Sequence, residues 1–372
     1  MNPSTHSKPW RRLKPLALLL LVAAVALPVS ATAAKHRKKK PAKVAVHQNA
    51  EPGPSYGQRV DALQAADDIA QRQHLDRDWV RQTLGQARYV AAIAKAVTPP
   101  PVGVAKNWQV YRSRFIEPKR IQAGMAFWLG HRDTLQRAER ETGVPAEIIV
   151  GILGVETIYG QQTGNFRVID ALATLAFDFP ASHPRAAERS AYFRSELEQY
   201  LSLTQRSGRD PLTLKGSYAG AMGLPQFMPS SWAKYAVDFD GDGVVDLLNS
   251  PADAIGSVAN YFKVFGWQPG LVTHFPVNFD TTTLDMPALM APDILPTFSV
   301  ASFQAKGAVL NGEALKHNGK LALIELQNGD AAPSYVAGTD NFYTITRYNW
   351  SSYYAMAVIE LGQAVAQAMP GK

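Results

Sequence analysis

The sequence contains no cysteine. That excludes disulfides, thiolate-bound metals, a cysteine nucleophile and lipidation on an N-terminal cysteine, and it leaves an oxidising compartment open. No histidine pair stands at metal-ligand spacing, so zinc hydrolysis has no support. No glycine-rich phosphate loop and no G-x-S-x-G elbow are present. The body also lacks a basic excess, although the net charge is +7. Residues 1–33 hold four Lys/Arg and no acid, and residues 34–43 hold six more. The remainder carries 28 bases against 31 acids. The positive charge therefore belongs to the N-terminal stretch, which argues against a nucleic-acid-binding body.

What is present is enough for two or three domains: 372 residues, 46 % of them hydrophobic. Lys8, Arg11, Arg12 and Lys14 precede an apolar run, Leu16 to Val29, and then Ala31-Thr32-Ala33. A basic start, a short apolar stretch and small residues predict a secretory signal over 1–33. An uncleaved anchor stays open, because the basic stretch Lys35 to Lys40 resists export. Arg11-Arg12 is a partial twin-arginine feature. Residues 34–55 are basic, Pro-containing and poor in large apolar groups, which predicts a disordered, solvated linker, with weak tethering to anionic envelope surfaces as the alternative reading.

From Tyr56 to Val97 the apolar residues recur at helical spacing, and Pro99-Pro100-Pro101 then breaks the chain. Helical spacing resumes over Ile121 to Ala138. Further helices are predicted at Ala186–Gln205, Pro229–Ala236, Pro251–Phe265 and Tyr353–Ala368. The segment Leu271–Thr346 leans towards strand. LALIEL, Leu321 to Leu326, and FYTIT, Phe342 to Thr346, read as strands with the Asn328-Gly329 turn signal between them.

Five stretches have the residues for chemistry. GILGVETIYG, Gly151 to Gly160, places one carboxylate, Glu156, on a stripe with Ile149, Ile152 and Tyr159. Such a group either has a structural partner or holds its proton to neutral pH as a general acid; spacing alone leaves both open. GSYAGAMGLPQFMPSSW, Gly216 to Trp232, is a glycine-rich loop with Ser217, Tyr218, Met222, Gln226 and Phe227. It lines a groove or is packed by its own aromatics. In DFDGDGVVD, Asp238, Asp240 and Asp242 fall at positions 1, 3 and 5 of a calcium loop, Gly243 at 6 and Val244 at 7, where a backbone carbonyl ligates. Asn249 replaces the usual glutamate at position 12, and Asp253 is a substitute if the loop is longer. TRYNWSSYYAM, Thr346 to Met356, and YRSRFI, Tyr111 to Ile116, concentrate aromatics that suit either sugar rings or a core.

Taken in order, GVPAEIIVGILGVETIYG, IDALATLAFDFP, GSYAGAMGLPQFMPSSW, DFDGDG, DAIGSVANYF and RYN resemble the lytic murein transglycosylase B family, from about Asn107 to Leu361. The resemblance implies an α+β, mostly helical fold. It would combine a lysozyme-like catalytic core, an EF-hand-type calcium loop, a helical domain and a small β domain. The expected divisions are 56–145 for the first helical part, 146–270 for the core with a helical insertion and the calcium loop, 271–340 for the β domain, and 341–372 for the return to the core. It implies non-hydrolytic cleavage of the β-1,4 bond between N-acetylmuramic acid and N-acetylglucosamine in peptidoglycan, with Glu156 as the single acid/base. Tyr111, Tyr192, Ser217, Tyr218, Met222, Gln226, Phe227, Tyr348, Asn349 and Tyr354 match substrate-binding positions. Asp238, Asp240, Asp242, Val244 and Asp253 match the calcium site. No organic cofactor is implied. A hydrolytic muramidase and an idle peptidoglycan-binding protein are the rival expectations. Leu224-Pro225 stands where related chains often have glycine, which puts the orientation of Gln226 in question. Many relatives are lipoproteins; without cysteine the resemblance implies a soluble, periplasmic monomer.

Overall fold

The computed structural model describes residues 53–98 and 106–370. The signal reading of 1–33 and most of the linker lie outside the described residues. Residues 53–55 correct the end of that linker. Gly53 N donates to Tyr89 O at 3.0 Å and Tyr89 N to Pro54 O at 3.1 Å. A Cβ on Gly53 would sit 2.8 Å from Tyr89 O, so glycine permits the approach. Among the described residues, no helix is long and apolar enough to cross a membrane.

The chain is mostly helical, with small antiparallel sheets. The first helices, Val60–Gln73 and Arg77–Gly85, form a hairpin; Val60–Gln73 packs on Ala186–Ser207, and the next helix, Ala91–Ala96, packs on Val168–Phe177. Polar ties fasten the hairpin. Arg59 makes a bidentate pair with Asp178 at 2.7 Å, and Glu198 accepts from both Arg72 and Gln73. At the centre runs Ala146–Thr157, referred to below as the acid helix. Ten of its twelve residues are buried. Helices that are apolar all round are interior helices, and this one is flanked by Pro118–Gly130, Arg132–Thr142, Pro251–Val264 and the C-terminal helix Ser352–Ala368.

The acid helix and the C-terminal helix approach closely because each offers a glycine to the other. A Cβ on Gly151 would meet Val358 O at 2.2 Å, and one on Gly362 would meet Glu147 O at 2.0 Å. Both obstacles are backbone, so a methyl group forces the helices apart. Gly151→Ala is expected to cost about 2–3 kcal/mol, in the range of core overpacking. Gly130→Ala, where a Cβ meets nothing within 4 Å, is the near-neutral control. Urea melts of the two variants check this.

Residues 274–338 hold a three-stranded sheet ordered His274–Pro276, Ala331–Gly338, Ala322–Asn328, with its own small core around Leu289, Phe303, Leu310 and Leu323. The strand at LALIEL is observed as Ala322–Asn328, starting one residue later and ending two later than expected. FYTIT is not a strand; Asp340–Thr346 is a helix. Thr339 caps it by accepting from Asn341 N, and Phe342 and Ile345, three apart, are fully buried. The true partner across the Asn328-Gly329 turn is AAPSYVAG, Ala331 to Gly338, in which Pro333 and two glycine-like small residues hide the strand pattern.

Candidate active site

Glu156 lies in the last turn of the acid helix and is partly exposed, although every residue flanking it on the helix is buried. Its Oε1 accepts a 2.5 Å hydrogen bond from Tyr354 Oη on the C-terminal helix. Burial pushes the carboxyl up to about 7, against the opposing pull of that bond. No second carboxylate contributes to the shift. The carboxylates that are buried among the described residues, Glu196, Asp170 and Asp253, are committed elsewhere. Glu196 accepts from Ser230 N and Ser230 Oγ, capping the Pro229–Tyr235 helix. Asp170 is held by Arg167 and Arg88 N. Among the described residues Glu156 has a single hydrogen-bond donor, Tyr354 Oη, on Oε1, which leaves Oε2 to hold a proton.

Aromatic side chains make its surroundings dry. Tyr354 is fully buried and its ring lies parallel to that of Tyr348 at 6.4 Å. Tyr348 Oη donates to Pro225 O, joining this pair to the glycine-rich loop. Tyr111 stands within the field of Glu156; burial first, and that charge second, push its phenol up to about 12. Tyr111 is braced by Trp108 at 6.2 Å, Phe115 at 5.1 Å and Tyr353 at 5.8 Å.

Beyond Glu156 the chain reverses through three successive residues of positive φ: Ile158 at 50°, Tyr159 at 56° and Gly160 at 89°. The loop Met222–Phe227 faces this turn. It is closed by reciprocal bonds between Met222 and Phe227. Gln226 adopts φ 52°, and its Nε2 donates to Thr163 O at 3.1 Å and Gly223 O at 2.9 Å. The rigid Pro225 thus leads into a left-handed residue whose amide nitrogen is tethered, which settles the orientation of Gln226. Ser217 Oγ accepts from Ala219 N and Ala221 N, so its own proton is available to donate.

The ten expected substrate-binding residues divide. Tyr111, Tyr192, Ser217, Tyr218 and Gln226 are partly exposed. Met222, Phe227, Tyr348, Asn349 and Tyr354 are buried, with at most 7 % exposure. Those five are covered by the protein itself, Tyr354 against Glu156 and Tyr348 against the glycine-rich loop. An aromatic-rich stretch has the same sequence signature whether its rings face a ligand or a core. Arg189 was missed. Its guanidinium lies 5.7 Å from the Tyr192 ring and interacts electrostatically with Tyr218, gathering those two residues on one side. Nothing local in AERSAYF marks it. Trp108 was also missed, although its position three residues before Tyr111 on one helix face was a usable signal.

The acidic loop assembles from a longer span than the standard one. Carboxylate oxygens of Asp238, Asp240 and Asp253 lie within 4.8 Å of one another. Asp238 also accepts from Gly241 N and Gly243 N, which shapes the loop. Asp253, fully buried, accepts from Phe239 N and Asp246 N, each at 2.7 Å. Asp242 is outside this group; its carboxylate accepts from Val244 N. Asp253 joins Asp238 and Asp240 because Pro251 starts a helix that brings its first turn back over the loop. Three convergent carboxylates with no ammonium or guanidinium among their hydrogen-bond partners suit a hard divalent cation.

Comparison with known proteins places this geometry. Residues 58–363 match the family described as the transglycosylase SLT domain. The chain is 41 % identical over 331 residues to the membrane-bound lytic murein transglycosylase B of Escherichia coli (strain K12), covering 87 % of each. The E. coli lytic transglycosylase Slt35, solved in complex with calcium, superposes with a TM-score of 0.74 at 41 % identity, over 85 % of this chain and 96 % of that one. SltB3 of Pseudomonas aeruginosa, solved with NAG-anhNAM-pentapeptide, gives 0.67 at 28 % identity, over 82 % and 79 %.

Proposed function

Because the chain belongs to the SLT-domain transglycosylase family, of the lytic murein transglycosylase B type, we propose that Glu156 is the single acid/base of its reaction. The protein is a peptidoglycan lytic transglycosylase acting on glycan strands. The observation that carries the role of Glu156 is a partly open carboxyl held near pKa 7 by burial, with Tyr354 fixing one oxygen.

The protonated carboxyl gives its proton to the glycosidic oxygen as the bond to the muramyl anomeric carbon breaks. The muramyl C6 hydroxyl then attacks that carbon, and the Glu156 carboxylate takes the hydroxyl proton. A 1,6-anhydromuramyl end is left, no water is consumed, and Glu156 is protonated again. Ordinary glycosidases need two carboxylates; here the substrate supplies the nucleophile, and its acetamido group stabilises the cationic centre. Tyr111, Tyr192, Tyr218, Ser217 and Gln226 are the side chains we assign to sugar contact. Met222, Phe227, Tyr348, Asn349 and Tyr354 support them from below.

Asp238, Asp240 and Asp253 are the residues we assign to a calcium ion, with the Val244 carbonyl as a further ligand. The ion would supply charge neutralisation to the loop and take no part in the bond cleavage. The division into helical part, core, β domain and returning C-terminal helix, and a periplasmic location after signal removal, belong to the same reading.

Mass spectrometry of murein digested by the purified protein tests it. The expected product carries the 1,6-anhydromuramyl end, and a reducing muramic acid in its place identifies a hydrolytic muramidase instead. The acid must begin protonated, so kcat/KM is expected to fall as pH rises through about 7, the value to which burial lifts Glu156. A pH–rate profile with no alkaline limb near neutrality rules out Glu156 as the titrating acid.

A further inference from the structure

We infer that Thr157 is a positioning residue for the general acid, holding the turn after Glu156 in register with the loop that carries Gln226. The inference rests on the reading of Glu156 as the acid. Thr157 is fully buried and directly follows it. Its hydroxyl donates to Leu224 O at 2.8 Å, with Leu153 O a more distant acceptor at 3.3 Å, and accepts from Gly160 N at 2.9 Å. One hydroxyl thus serves two backbone groups that no helix or sheet satisfies.

The turn needs this support. Ile158, Tyr159 and Gly160 are all left-handed, and Ile158 is β-branched. Non-glycine residues in that region persist only where the surroundings over-determine them. Thr157 spans the turn from Gly160 N on one side to Leu224 O on the other. Leu224 is held from its far side too, since its N donates to Leu247 O at 2.9 Å. Gln226 Nε2, bonded to Thr163 O, closes the circuit. Glu156 and Gln226 thereby sit on two segments joined at Thr157–Leu224 and at Gln226–Thr163. Loss of the Thr157 hydroxyl frees the first joint and lets the carboxyl drift, while the second joint, Gln226 Nε2 to Thr163 O, still holds the Gln226 side chain.

The test compares Thr157→Val, Thr157→Ser and Glu156→Gln with the wild-type chain on soluble murein glycan strands. Valine keeps the shape and removes the hydroxyl; serine keeps the hydroxyl. The expected result for Thr157→Val is a kcat loss of about 100-fold, the scale of a 1 Å misplacement, with KM unchanged and with activity restored by Thr157→Ser. If the valine variant does not fold, Thr157→Cys, whose thiol is a weak donor, is measured in its place with the same expectation. A folded variant with wild-type kcat, a rise in KM matching the fall in kcat, or failure of serine to restore activity overturns the inference. Wild-type activity in Glu156→Gln instead overturns the assignment of the acid, whatever Thr157 does.

Discussion

Glu156→Gln is expected to lower murein cleavage by about 10⁴-fold, the upper range for removal of a general acid. No other carboxylate contributes to the environment of Glu156, so none stands ready to replace it. Glutamine retains an oxygen for the Tyr354 hydrogen bond, so the fold should survive. The same change carries a stability signature. The folded-state pKa of Glu156 lies near 7, above its ordinary value of 4.5. Folding therefore favours the protonated form. That advantage is fully present below pH 4.5 and is lost as pH rises through about 7. Above that pH the folded protein holds a desolvated charge costing about 3 kcal/mol, at 1.36 kcal/mol per pKa unit. Glu156→Gln should then melt higher than wild type at pH 8, with the gap closing by pH 4.5. Melting curves at both pH values, with release of anhydromuramyl ends, check the two halves. An active variant, or one no more stable than wild type at pH 8, contradicts this account of the carboxyl.

Asp253→Ala is expected to destabilise the protein by about 4 kcal/mol. Asp253 is fully buried and receives Phe239 N on one oxygen and Asp246 N on the other. Charge-assisted bonds of this kind contribute about 1.5–3 kcal/mol each, and alanine leaves both donors buried without a partner. Asp253 also lies in the first turn of Pro251–Val264, where a negative charge meets the positive end of the helix. The substitution removes one of the three converging carboxylates as well. Wild-type protein should gain about 2.7 kcal/mol of stability at a hundredfold excess of calcium over the dissociation constant, read as a rise in melting temperature. Asp253→Ala should show no such gain. Asp242→Ala, which removes a carboxylate outside the cluster, should keep most of it. Calcium titrations followed by melting separate the three proteins. An equal calcium response in wild type and Asp253→Ala argues against the assigned ligand set.

Much of the helical framework was legible because it is written locally. Helix spacing, proline starts and glycine ends are properties of a few neighbouring residues. Ala186–Ser207, Pro229–Tyr235, Pro251–Val264 and Ser352–Ala368 begin and end within two residues of expectation. FYTIT departs from the strand expectation for a reason that is not local. Its β-branched and aromatic residues favour strand, but the Thr339 cap, the Asn341 bonds to Gln268 O and Leu271 O, and burial of Phe342 and Ile345 select helix. Those bonds reach back some seventy residues, beyond any window of periodicity.

The sequence by itself determined that one carboxylate would sit on an apolar helix face, that glycines would flank it, and that aspartates would crowd a short loop. Each is a matter of residue type and spacing. Only the tertiary structure decided what those groups meet. Tyr354, 198 residues away, supplies the single bond to Glu156. Helix Pro251–Val264 brings Asp253 into the acidic loop, and half of the expected sugar-facing residues turn inward. Periodicity records which face of an element is apolar. It holds no information on whether that face will be covered by a helix, a loop or a substrate, because the covering group comes from elsewhere in the chain or from outside it.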